Sequence, residues 1–184
     1  MVGIVLLIIL VALVLVVIGL YNSLVQLKKR CDNGWAQIDV QLKRRYDLIP
    51  NLVETAKGYL KHEREVLENV TKARQQAIDA SGVKDQAKAE NFLTSTLRSL
   101  FAVVENYPDL KASQNLLAMR EDLVSTENRI SFARQHYNDC VMDYNTRIAT
   151  VPSNLLAGLF GFKPVDFFEL EDVGQREAPK VSFA

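Results

Sequence analysis

The residues with the greatest chemical reach are few: His62, His136, Cys31 and Cys140. His136 and Cys140 stand four apart, so a helix would carry imidazole and thiol on one face, where the imidazole could draw off the thiol proton. Cys140 also neighbours an apolar seam, which favours a structural thiol over that pair. A di-iron centre in a helical bundle takes Glu-x-x-His from two helices, because acid and imidazole must share a face one turn apart. Tyr59 stands three before His62 and Ala133 three before His136, so neither histidine fits. His62-Glu63 does not continue to a second histidine four residues on, and no phosphate-binding glycine loop, dinucleotide fingerprint or nucleophile elbow occurs. Two cysteines without Cys-x-x-Cys make neither a disulfide framework nor a zinc site and read as free cytosolic thiols. The expectation is a non-enzyme with no catalytic residue, no metal and no cofactor.

A second group of residues is odd by position. Arg45, Glu63, Glu105, Arg120, Glu127 and Arg134 fall on otherwise apolar helical stripes, with Asn91, Asn138 and Asn145 close by. An isolated buried charge costs several kcal/mol, so inside a bundle these groups must pair. A paired network that fixes helix register is expected, in preference to a carboxylate-lined groove for a ligand.

The elements that would position these groups are helices. Residues 2–20 carry no charge and are almost all Ile, Leu and Val. At about 1.5 Å per residue they reach roughly 30 Å, one bilayer crossing. The segment lacks the basic start, shorter apolar run and small-residue cut site of a cleaved signal, so a retained anchor over residues 1–27 is expected. Tyr21, Lys28, Lys29, Arg30 and Trp35 are the candidates for the membrane interface, with Trp35 equally suited to a core. Lys28, Lys29 and Arg30, reinforced by Lys43, Arg44 and Arg45, place the N-terminus outside and the rest in the cytoplasm by the positive-inside rule. Lys43, Arg44 and Arg45 suit either anionic headgroups or a solvated helix face.

Residues 32–50, DNGWAQIDVQLKRRYDLIP, join this anchor to the rest. Trp35, Ile38, Leu42, Arg45 and Ile49 recur at spacings of three and four, and Pro50 predicts a kink or a new helix start. The stripe then resumes through Leu52, Ala56, Tyr59, Glu63, Val66, Leu67, Val70, Ala73 and Ala77 as one long amphipathic helix. A turn at residues 80–85, ASGVKD, reverses the chain, and a helix over 84–106 stops at Tyr107-Pro108. The last helix, about 109–150, carries a heptad seam from Leu116 to Ile148. Pro152 ends it, and residues 153–162 read as a short helix or hook whose Leu155, Leu156, Phe160 and Phe162 require burial. No period-two run suggests a sheet. The expected fold is all-α: an N-terminal transmembrane helix followed by an elongated antiparallel bundle of long helices over 28–168, with a flexible tail at 169–184.

Several runs together resemble the LemA family: Asn33 through Trp35; Val40 to Arg45; Asp47 to Val53; Gly58-Tyr59; His62-Glu63; Ala73-Arg74; Glu105 to Lys111; Thr126 to Ile130; Ala133-Arg134; Tyr137-Asn138; Tyr144-Asn145; and Pro152 to Asn154. The resemblance covers nearly all of residues 28–168. It implies a bacterial protein of the cytoplasmic (inner) membrane with one N-terminal span and a helical bundle. It implies no enzymatic activity, so no catalytic residue is carried over.

The expected function is a non-enzymatic, membrane-anchored scaffold that self-assembles, with membrane lipid and copies of itself as partners. Tyr107 and Pro108, with Phe160, Phe162, Phe167 and Phe168, are the candidates for docking. The competing expectation is an adaptor for another membrane protein, such as a protease or sensor kinase. A net charge of zero argues against a nucleic-acid partner.

Overall fold

In the computed structural model, which describes residues 1–60 and 62–169, the described chain forms helices and no strand. They are α1 (Val2–Lys57), α2 (Arg64–Asp79), α3 (Val83–Val104), α4 (Pro108–Lys111), α5 (Gln114–Ala149) and α6 (Ser153–Phe160). The chain divides into two compact units, one of Met1–Val40 with Ile130–Phe167 and the other of Gln41–Arg129 with the chain from Phe168. The expected all-α class is observed. The expected tail falls, from residue 170 on, outside the described residues.

In the first unit, α1 begins with an apolar surface that no described residue covers. The side chains of residues 2–16 are all exposed, and this helix is the one among the described residues long and apolar enough to cross a membrane. Further along, Leu24, Cys31 and Ile38 are buried, as are Ile130, Tyr137, Val141 and Tyr144 of α5. The helices run antiparallel, with Trp35 packed edge-on against Tyr137 at 5.5 Å between ring centroids and Tyr21 meeting the residues just beyond α6. Gly34 of α1 packs closely on Tyr137: a Cβ there would stand 3.2 Å from the Tyr137 Cα. Glycine at this place therefore serves close packing and leaves α1 unbroken.

Beyond α6, Gly161 takes a left-handed conformation (φ +71°) and Phe162 N–H bonds back to the Ala157 carbonyl at 2.9 Å, a helix stop that favours glycine. The following residues run back along α5 as a strap. Tyr144 donates to the Lys163 carbonyl at 3.0 Å and Tyr137 to the Asp166 carbonyl at 2.8 Å. Between them Asn145 pairs with the Val165 backbone through both its amide groups, at 2.9 Å each way.

The second unit packs the end of α1 with α2, α3 and the first half of α5. Leu42, Ile49, Leu52 and Ala56 meet the core beside Leu67, Val70, Ala73, Leu93, Leu97, Leu100, Leu116 and Leu123, all buried. Two expectations are corrected here. Pro50 does not start a new helix, since α1 continues through it to Lys57. Proline removes the N–H that would bond the carbonyl four residues earlier. That carbonyl belongs to Tyr46, and Arg74 Nε of α2 donates to it at 2.8 Å. A side chain from the neighbouring helix thus replaces the lost backbone donor.

The second correction is the helix read across residues 52–77. It breaks after Lys57, and α2 starts only at Arg64. Gly58 is a poor helix former, and beyond it the register shifts so that Leu60 is buried while Tyr59 is exposed. Gly82, at φ +84°, then turns α2 into α3. Pro108 opens α4 at its first position, where its missing N–H is no loss. α5 accordingly starts at Gln114 instead of 109.

Candidate functional site

The chemistry of the second unit gathers at one buried cluster. α1 supplies Arg45 and Tyr46, α3 supplies Gln86, Glu90 and Thr94, and α5 supplies Glu127. Arg45 Nη1 stands 3.2 Å from Glu90 Oε2 and 2.9 Å from Glu127 Oε2, while its Nη2 donates to Thr94 Oγ1 at 2.8 Å. The Tyr46 hydroxyl donates to Glu90 and accepts from Gln86 Nε2 at 2.9 Å. Gln86 Nε2 also reaches the Ala77 carbonyl at 3.0 Å. One guanidinium therefore ties α1 to α3 and α5 with hydrogen bonds fixed in direction, which suits a planar fork.

Burial raises the Glu90 carboxyl above its usual range, against the opposing pull of Arg45, Tyr46 and Gln86, and the nearby Glu127 adds to the rise. Burial, then Glu90 itself, pushes the Tyr46 hydroxyl up in turn. Every polar group named here has a partner within the cluster. The arrangement can lock helix register.

The expected polar residues are only partly brought together. Arg45 and Glu127 share the cluster. Glu105 lies apart, bonded to Lys111 and 3.7 Å from Arg120, whose guanidinium also covers the Phe101 ring at 5.4 Å. Both Glu105 and Arg120 are about half exposed, and the Lys111 contact is the main cause holding the Glu105 carboxyl below its usual range. Glu63 accepts from the Tyr107 hydroxyl at 3.4 Å, and Arg134 is half-buried on α5 in the first unit. Tyr46, Gln86, Glu90 and Thr94 were not expected there. Their signal was legible in part, since Gln86, Glu90, Leu93, Leu97, Leu100 and Val104 recur four and three apart and are all buried.

At the membrane-side candidates, Tyr21 packs edge-on against Phe160 and Phe162, with ring centroids 5.0 and 5.8 Å away. Lys28, Lys29 and Arg30 are exposed, Lys29 pairing with Asp32 at 3.2 Å. Trp35 is half-buried and packs edge-on against Tyr137. Among the docking candidates Phe168 is fully buried, Tyr107 is half-buried, and Pro108 and Phe167 are exposed. The expected burial of the hook is corrected: Leu155 is 72% exposed, Phe160 is exposed, and Leu156 and Phe162 are half-buried. The helix turns small residues, Ser153 and Ala157, toward the protein instead.

The thiols are held away from reactivity. Burial, with Cys140 and Asp32 nearby, pushes Cys31 up to about 11. Cys140 is also raised, by burial and by Asp143, although His136 Nε2 stands 3.9 Å from its sulfur. No group of His, Cys, Asp and Glu suited to a metal ion occurs among the described residues. An open groove of about 740 Å³ lies where Val53 and Lys57 of α1 face Arg64, Leu67 and Thr71 of α2 beside Leu60.

Long amphipathic helices packed around paired buried charges, with one uncovered apolar stretch of bilayer-crossing length, define a helical, membrane-associated protein. The chain belongs to the LemA family, whose family model matches residues 34–183. It is 25% identical to magnetosome protein MamQ 2 of Paramagnetospirillum magneticum, over 84% of this chain and 66% of that protein. It is 24% identical to magnetosome protein MamQ of Magnetospirillum gryphiswaldense, over 90% of this chain and 70% of that one. Protein LemA of Metamycoplasma hominis is 24% identical, over 86% and 73% of the two chains. The chain thus spans about two thirds of the length of the MamQ proteins it matches.

Proposed function

We propose that this protein is a non-enzymatic scaffold, anchored in the cytoplasmic membrane by residues 2–20, that assembles with copies of itself through outward-facing apolar residues of α5. The observation that carries the proposal is Leu117 and Val124. They lie one heptad apart on α5 and are 45% and 55% exposed, although the seam residues beside them, Leu116 and Leu123, already fill the unit's own core. Large apolar side chains repeated at heptad spacing on a solvent face suit a second helix. Phe132, in the other unit, is 74% exposed and extends the same argument there. The cluster around Arg45 supports the non-enzymatic part, because its buried acid, Glu90, is already engaged by Arg45, Tyr46 and Gln86. The relatives include magnetosome proteins, whose names describe no reaction.

The test is the mass of the full chain in mild detergent, with Val124→Glu and Phe132→Glu alongside. A discrete oligomer that either substitution weakens is expected. A monodisperse monomer across a wide concentration range overturns the proposal. Crosslinking in native membranes then separates self-assembly from the adaptor role, since an adaptor would capture a distinct membrane protein in preference to itself.

A further inference from the structure

We infer that α6 is a second membrane contact: a short helix that lies in the lipid interface beside the point where α1 leaves the bilayer. The inference rests on reading residues 2–20 as the span and concerns only the first unit.

The inverted build of α6 is the first ground. A helix on the surface of a water-soluble protein buries its large apolar residues and exposes its small and polar ones. α6 does the reverse. Ser153 and Ala157, four apart, face the protein and are buried, while Leu155 and Leu159, also four apart, are 72% and 76% exposed. Val151, a further four residues back, continues the exposed row. An outward face of this kind is stable only against something apolar.

Position is the second ground. Tyr21 directly follows the uncharged stretch, at the level where aromatic rings gather at a bilayer boundary. Phe160 and Phe162 pack on that same ring. Because α5 runs antiparallel to α1, its C-terminal end brings α6 to this level, and the left-handed Gly161 turns Phe162 back onto Tyr21. The exposed face of α6 is thereby continuous with the apolar surface of the anchor.

Composition is the third. Residues 150–162 carry no charge, and Arg147 and Lys163 flank them. Basic residues at the margins of an apolar segment suit phosphate headgroups. Eight residues reach only about 12 Å, too short to cross a core of roughly 30 Å, so α6 lies along the interface.

The test places an environment-sensitive fluorophore at Leu155→Cys or Leu159→Cys of the full chain, in a Cys31→Ser/Cys140→Ser background. The chain is reconstituted in vesicles of phosphatidylcholine and phosphatidylglycerol. Leu13→Cys reports on the anchor and Gln37→Cys, exposed on α1 of the same unit and about 24 Å along the helix from Tyr21, serves as a site distant from lipid, with circular dichroism confirming the helical fold of each variant. Two label positions guard against one disturbing the hook. The expected result is blue-shifted emission at 155 and 159. Lipids bearing a doxyl group high on the acyl chain should quench these labels severalfold more than the one at 37, whereas the label at 13 is quenched best by a group deep on the chain. Quenching at 13 with none at 155 and 159 overturns the hook contact and leaves the anchor standing. Blue-shifted emission at 155 and 159 without lipid quenching means that another copy covers the face, and this too overturns the inference. Loss of quenching at 13 overturns the anchor reading, and the hook falls with it.

Discussion

Arg45 is the side chain on which most of the second unit's polar structure depends. It neutralises Glu90, a carboxylate that is 1% exposed, and removing one partner of a buried pair leaves an uncompensated charge. Arg45→Met should therefore cost about 3–5 kcal/mol in thermal or urea unfolding followed by circular dichroism. Glu90 should also give a pH signature. Its carboxyl holds its proton more tightly in the folded chain than in the unfolded one, where its ordinary value is 4.5. The stabilisation from that proton is complete below 4.5 and is lost as pH rises through the raised folded value. The stability of the native protein relative to Glu90→Gln should accordingly fall as pH rises from about 4.5. A difference that is flat with pH would show that Glu90 is already fully ionised in the fold. Glu105, with its lowered value, works in the opposite sense and loses its contribution as pH falls; comparison with Glu90→Gln cancels that background.

The helices show where a sequence is informative and where it is silent. The apolar run of α1 and the seam of α5 are legible because periodicity reports which face is buried, and Leu116, Leu123, Ile130, Tyr137, Val141 and Tyr144 are buried as their spacing requires. Pro50 was misleading because local chemistry says only that the Tyr46 carbonyl loses its donor. That Arg74, 28 residues away, supplies another is tertiary information. The break after Lys57 was missed for the converse reason: the stripe ran on past Gly58 in the sequence while the backbone did not. The Arg45 cluster was half legible, since a charge on an apolar stripe flags itself, but its partners on α3 are set by packing. The Pro50 account predicts a coupling. Arg74→Met should cost roughly 1–3 kcal/mol, and much less in a Pro50→Ala background, where the restored N–H can take the Tyr46 carbonyl. Equal costs in both backgrounds would separate Arg74 from the proline. Gly34→Val, which forces atoms toward the Tyr137 backbone, should cost about 1–3 kcal/mol. Trp35, the sole tryptophan, packs on the same tyrosine, so its emission reports that change directly.

For the whole molecule, an apolar stretch that no described residue covers and outward-facing apolar residues on α5 are the grounds for the proposed attachment and assembly. Lys28, Lys29 and Arg30 are exposed next to the stretch, and under the proposed anchoring the positive-inside rule would put the helical units in the cytoplasm. Protease added to intact cells should leave those units whole, and protease added to inverted vesicles should remove them. The central claim is self-assembly, and the mass of the full chain in lipid nanodiscs or mild detergent tests it most directly. The account predicts a discrete multimer that Val124→Glu dissociates while the helical content is preserved. A single-chain mass maintained from dilute to concentrated protein would contradict it.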